Sequence, residues 1–204
     1  MGLTETGAQI LSNPLPPNSR KIGSPGIAYG NEIMVGDDNQ NPVAANVEGE
    51  ILVRGSNVMK EYLDRPEETA KTITADGWLR TGDLGRMDED GFIFVTGRIK
   101  ELIIKGGENI APREVDEALL EHDAVLEAAA FPRTCKDYGQ RVEACVCLKK
   151  GRNVSENELR EFCEGLIGAY KTPDHIYFLD DLPKGPSGKV QRMKLVDLTL
   201  SASD

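Results

Sequence analysis

Gly97-Arg98-Ile99-Lys100-Glu101-Leu102-Ile103-Ile104-Lys105-Gly106-Gly107-Glu108-Asn109-Ile110-Ala111 is the stretch that decides how this chain is divided. An apolar run, Phe92-Ile93-Phe94-Val95, precedes it, and a second, Leu102-Ile103-Ile104, lies inside it and stops at the paired glycines 106 and 107. Both runs are short, rich in β-branched or aromatic residues and bounded by turn formers, so both are expected to be strands. Between them stands a charged joint with little apolar surface to bury, preceded by acidic turns and followed by a helix start. Few buried contacts would tie such a joint down, which suits a domain boundary that moves.

Outward from the joint, bulk properties set limits. The chain has 204 residues, 39% of them hydrophobic, enough for one large or two small domains with a real core. Its formal charge of -10 argues against non-specific binding to nucleic acid or anionic membrane, with a local basic patch near Lys100 and Lys105 left open. No run reaches the apolar length of a membrane span, and the amino terminus shows no basic segment before an apolar core. A soluble cytoplasmic protein is the default expectation. Cys145 and Cys147 sit two apart in a strand-like run and so share one face; with Cys135 and Cys163 they are read as reduced core cysteines, not as a disulfide framework or zinc site. His122 and His175 lack neighbours at ligand spacing and are read as surface or helix-end residues.

Strands are expected at Ile33-Met34-Val35 and Glu50-Ile51-Leu52-Val53-Arg54, each closed by turn formers, as in a small antiparallel sheet or barrel. A short helix is expected from Arg65 to Lys71, with Pro66 in its first turn. Thr81-Gly82-Asp83 reads as a strand end, and Asp88-Glu89-Asp90-Gly91 as a solvated hairpin turn. Beyond the joint, residues 112–120 read as a helix, 124–131 and 142–148 as strands, and 132–141 as the loop between them. Ser155-x-x-Glu158 is a capping box, and Leu159, Phe162, Cys163, Leu166, Ile167 and Tyr170 recur at helical spacing as its core face. Ile176-Tyr177-Phe178-Leu179 adds a strand, while Lys184 and Lys194 read as solvated. Strands alternating with two helices make the second part a small α+β sandwich.

Four motifs now fall in order: Gly2-Leu3-Thr4-Glu5, Trp78-Leu79-Arg80-Thr81-Gly82-Asp83, the joint, and Pro183-Lys184-Gly185-Pro186-Ser187-Gly188-Lys189. Together they resemble the adenylate-forming enzymes, the superfamily of acyl-CoA synthetases, aryl-CoA ligases, peptide-synthetase adenylation domains and beetle luciferases. The resemblance covers essentially the whole chain but only the last part of the family pattern, so it implies a fragment. The class it implies is α+β: residues 1–98 as the β-rich end of the large, incomplete AMP-binding domain, and 99–204 as a small α+β carboxy-terminal domain. Two positions depart from the pattern, Met1 where an aromatic residue usually precedes the glycine and Gln140 where the 132–141 loop usually carries an acid.

The resemblance assigns roles residue by residue. Lys189 becomes the catalytic lysine of adenylate formation. Thr4 would contact phosphate oxygens, Glu5 would hold Mg²⁺, and Asp83 and Arg98 would bind the ribose of ATP and of the acyl-adenylate, Arg98 also reaching phosphate. Lys100 would be the hinge, and Gly107 would line the tunnel for the pantetheine arm of coenzyme A. The spacing of Pro183 to Lys189 does not fit the phosphate-loop pattern G-x-x-x-x-G-K-[ST], since Val190 follows the lysine. The implied reaction is a two-step ligation of a carboxylic acid, with ATP, Mg²⁺ and coenzyme A as cofactors. The partners implied are the acid, ATP, coenzyme A and the missing amino-terminal portion, and the chain alone is expected to be silent. Two alternatives stand beside it: an adenylation domain that loads a carrier-protein phosphopantetheine, and a non-catalytic module that binds a nucleotide or partner. The tail Ser201-Ala202-Ser203-Asp204 is no peroxisomal address.

Overall fold

A computed structural model describes residues 1–7, 9–186 and 188–200. Ser187 of the last motif and the tail 201–204 lie outside the described residues. The chain divides into two compact units, Met1–Lys100 and Glu101–Asp204.

In the first unit β1 (Leu11–Ser12) pairs antiparallel with β2 (Ile27–Ala28). The main element is a four-stranded antiparallel sheet in sequence order, made of β3 (Glu32–Gly36), β4 (Gly49–Arg54), β5 (Leu79–Met87) and β6 (Ile93–Arg98). Helix α1 (Pro66–Thr72) crosses between β4 and β5, with proline where a missing N–H costs least. Ile10, Leu11, Val35, Ile51, Val53 and Ile93 form the core, against which the half-buried Met1 and Leu3 pack. Asp83 does not end a strand as expected; it lies inside β5, which runs on to Met87. Nor is the 88–91 turn merely solvated. Asp88 accepts the N–H groups of Asp90 and Phe92 and, with Asp90, binds the Lys21 ammonium at 2.5 and 2.7 Å.

The second unit opens with β7 (Ile103–Lys105) and β8 (Glu108–Ile110), a tight hairpin, followed by α2 (Pro112–Leu120). Strands β9 (Val125–Cys135) and β10 (Gly139–Leu148) form a long antiparallel pair. The segment 132–141, expected as a loop, is therefore mostly strand: its ends continue the ladder and only 136–138 turn. Gln140 accepts the Ile104 N–H there, at 2.7 Å. After α3 (Glu156–Ile167), β11 (His175–Phe178) joins β10 in parallel.

Alternation along β10 separates two cores. Val142, Ala144 and Val146 face one way, onto Val115 and Leu119 of α2 and Leu159 and Cys163 of α3. Cys145 and Cys147 face the other way with Phe131, Leu182 and Leu195. Leu195 belongs to α4 (Arg192–Leu200), a helix that sequence reading did not anticipate. The α+β class holds, with helices on both faces of this sheet. All four cysteines are free, although Cys135 is only half-buried. The expected core face of α3 is narrower than its spacing suggests: Leu159 and Cys163 are buried, but Leu166 is 48% exposed, and Tyr170, past the end of the helix, is 38% exposed.

Candidate functional site

The first unit carries a cleft of about 290 Å³ beside the end of β6, with Glu50, Arg80, Gly82, Arg98, Ile99 and Lys100 among its lining. It forms where β5 leaves its ladder. Glu50 pairs with Leu84 and Leu52 with Arg80, so Thr81, Gly82 and Asp83 stand against the single residue Ile51. Gly82 turns this bulge with φ of +70°, a conformation that other residues adopt only under strain. On its other edge β5 sets Asp83 opposite Arg98 and Leu84 opposite Gly97 on β6, before a second register shift between Leu84 and Gly85. That register brings two residues of the implied ribose site together: Arg98 Nε lies 2.7 Å from Asp83 Oδ1. Arg98 lines the cleft, whereas Asp83 stands behind it, only 4% exposed. Among the lining residues the cations Arg80, Arg98 and Lys100 outnumber the one acid, Glu50, a balance that suits an anion.

Thr4 and Glu5 lie in a short 3-10 turn, Thr4–Thr6, closed by the buried Thr6 hydroxyl donating to the Leu3 carbonyl. Neither lines the cleft. Thr4 is exposed, and Glu5 accepts the Tyr62 hydroxyl at 3.0 Å. Burial, and after it the Glu5 carboxylate, pushes the Tyr62 phenol up from its ordinary value. No group of three or more His, Cys, Asp or Glu suited to a metal occurs among the described residues. Mg²⁺ commonly takes one or two carboxylates with substrate phosphates, so Glu5 fits that ion only alongside a nucleotide.

The units divide after Lys100, an exposed residue within the 3-10 turn Ile99–Glu101. In the second unit Gly106 and Gly107 turn the β7–β8 hairpin with φ of +57° and +91°. Here backbone conformation alone demands glycine at 107, since a Cβ there would meet nothing within 4 Å. Lys105 does not join a basic patch: it is 7% exposed, donates to the Tyr170 carbonyl at 3.1 Å and lies 3.5 Å from Asp174. The Tyr170 hydroxyl in turn donates to the Lys105 carbonyl. Lys184 is exposed, as read, and its ammonium also pairs with Glu127 at 2.7 Å. Lys189 is exposed, in a turn closed by Gly185 N–H donating to its carbonyl at 2.8 Å and Gln191 N–H to the Pro183 carbonyl at 2.7 Å. Three residues on, Arg192 opens α4 and anchors it, its guanidinium gripping Asp116 at 2.5 and 3.2 Å and the Ala130 carbonyl at 2.9 Å. Sequence reading missed Glu50, Arg80 and Tyr62; only the acid beside Ile51-Leu52-Val53 hinted at a buried carboxylate.

Comparison with known proteins decides what this arrangement is part of. The profile of the AMP-binding enzymes matches residues 1–63, and that of the AMP-binding enzyme C-terminal domain matches residues 114–189. The chain belongs to the AMP-binding, adenylate-forming family. Among its relatives, the sulfoacetate–CoA ligase of Cupriavidus necator is 49% identical over 97% of the chain, and the oxalate–CoA ligase of Saccharomyces cerevisiae 40% identical over 98%. The chain spans 39% and 37% of the length of these two relatives. The solved ATP-bound MatB from Rhodopseudomonas palustris superposes with a TM-score of 0.89 at 34% identity, over 97% of this chain and 40% of that one. The o-succinylbenzoate CoA synthetase of Bacillus subtilis, bound to its acyl-adenylate, gives 0.84 at 39% identity over 95% and 40% of the two chains.

Proposed function

We propose that this chain is the carboxy-terminal part of an AMP-forming carboxylate–CoA ligase. The observation that carries the reading is the Asp83–Arg98 pair at a cation-rich cleft, in a chain of this family. In the first step a carboxylate oxygen attacks the α-phosphorus of ATP; the new P–O bond gives an acyl-adenylate and pyrophosphate leaves. In the second, the sulfur of coenzyme A attacks the acyl carbon, its proton goes to solvent and AMP leaves. The Asp83–Arg98 pair receives the ribose, Thr4 meets phosphate oxygens, and Glu5 with those oxygens holds Mg²⁺, which neutralises phosphate charge when bound. Lys189, exposed and without an ion pair among the described residues, brings its ammonium to the carboxylate and α-phosphate. Such a cation is worth about 4 kcal/mol at about 4 Å and an effective dielectric of about 20. Between steps the second unit turns about Lys100, so that Lys189 withdraws and the Gly107 face admits the pantetheine arm.

The names of the relatives support free coenzyme A as acceptor over a carrier protein. Sulfoacetate, oxalate and 2-succinylbenzoate each carry a second anionic group, so the substrate class we propose is a carboxylic acid of that kind. The test is acid-dependent ATP–pyrophosphate exchange with Mg²⁺ in the full-length protein, over a panel headed by these acids. Exchange with one of them is expected, and none from this chain alone; a full-length protein silent with every acid would overturn the reading. Lys189→Ala should abolish exchange yet leave thioester formation from supplied acyl-adenylate largely intact. Equal loss in both steps would refute the division of labour.

A further inference from the structure

Glu50 is 7% exposed, a carboxylate set beside three apolar residues of β4. A charge in such a place is costly unless its oxygens are held. Both are. Oε2 accepts Arg80 Nε at 2.9 Å, and Oε1 accepts the backbone N–H of Gly82 at 3.0 Å. The second bond matters because of where Gly82 lies. It is the left-handed residue of the β5 bulge, the position immediately before Asp83, and three residues there face only Ile51. A regular ladder would satisfy these N–H groups from β4 carbonyls; the bulge withdraws that pairing. Side chains replace it. Glu50 takes the Gly82 N–H, while the Thr81 hydroxyl accepts the Asp83 N–H at 3.0 Å and donates to the Ile51 carbonyl at 2.7 Å.

We propose that Glu50 is a positioning residue for nucleotide binding: through the Gly82 N–H it fixes the bulge that sets Asp83 against Arg98. The inference rests on the reading of the Asp83–Arg98 pair as the ribose site. With the acceptor gone, the half-buried Gly82 N–H has no protein partner in the bulge, and the turn relaxes toward one that finds it or opens that N–H to the cleft. Asp83 and Arg98 then lose the spacing that meets two hydroxyls at once. Arg80 plays a lesser part, because its side chain is 39% exposed and retains water as a partner.

The experiment measures kcat/KM for adenylate formation with ATP and with 3′-deoxy-ATP in the full-length ligase, alongside the melting temperature. Wild type is expected to prefer ATP by about tenfold to a hundredfold, the worth of one hydrogen bond to a charged group. Asp83→Ala should bring that preference close to unity. Glu50→Met, which fills the space without an acceptor, should do the same, and the double variant should lose no more. Glu50→Gln, whose amide oxygen still accepts the Gly82 N–H, should keep most of the preference. A Glu50→Met enzyme that melts lower but discriminates like wild type would make Glu50 a structural residue only and overturn the proposal. If wild type and Asp83→Ala fail to discriminate, the ribose reading itself falls and takes this inference with it. Should Glu50→Met not fold, Glu50→Ala in the same comparison decides.

Discussion

Cys145 and Cys163 carry what burial does to a single group. Both are fully buried, and burial pushes their thiols up from 9.0, to about 12 and about 11. The folded chain therefore keeps protons that the unfolded chain gives up above about pH 9. Because the folded state binds more protons in that window, stability is full below about pH 9 and is lost as pH rises toward the folded values. Unfolding free energy measured in urea from pH 8 to 10.5 should fall, and the slope should flatten in Cys163→Ala; an unchanged slope would sink this account. The shared face of Cys145 and Cys147 was legible because a strand's period is local. The role of Glu50 was not, since it depends on how β4 registers against a bulge some thirty residues away. Asp83 and Arg98 were legible as a motif, but their contact is a property of the β5–β6 register.

At the scale of elements, α3 shows both outcomes. Its capping box is present as read: Ser155 Oγ accepts the Glu158 N–H at 3.3 Å, and Glu158 accepts the Ser155 N–H at 3.0 Å. Ser155→Ala should cost about 1 kcal/mol of stability, checked by urea denaturation of the chain; a change within error would mean that water replaces the cap. The apolar periodicity misled at the far end, because the helix stops at Ile167 and Tyr170 lies past it, its hydroxyl engaged with Lys105. Helix α4 escaped sequence reading for a related reason. Leu195 and Thr199 are buried, while Met193, Leu198 and Leu200 are exposed, so apolar residues mark no single face. The stretch 132–141 was misread as a loop because its proline and polar residues look like turn chemistry. Long-range pairing with a partner strand overrode that local signal.

For the whole molecule, the distribution of the cores is the controlling fact. Both clusters of the second unit are built from residues 103–196, and the cluster of the first from residues 1–95. A unit that holds its own sheet and core is expected to fold alone. Residues 101–204 expressed separately should melt cooperatively in calorimetry; a broad, non-cooperative trace would show that the unit leans on residues outside it. The first unit has a long-range tie of another kind. Lys21, in a loop of prolines and serine that offers itself to digestion, is clasped by Asp88 and Asp90 across 67 and 69 residues of chain. Trypsin must draw the side chain it recognises out of those two carboxylates before it can cut, so this lysine, though set in a surface loop, is the wrong place to begin dismantling the protein.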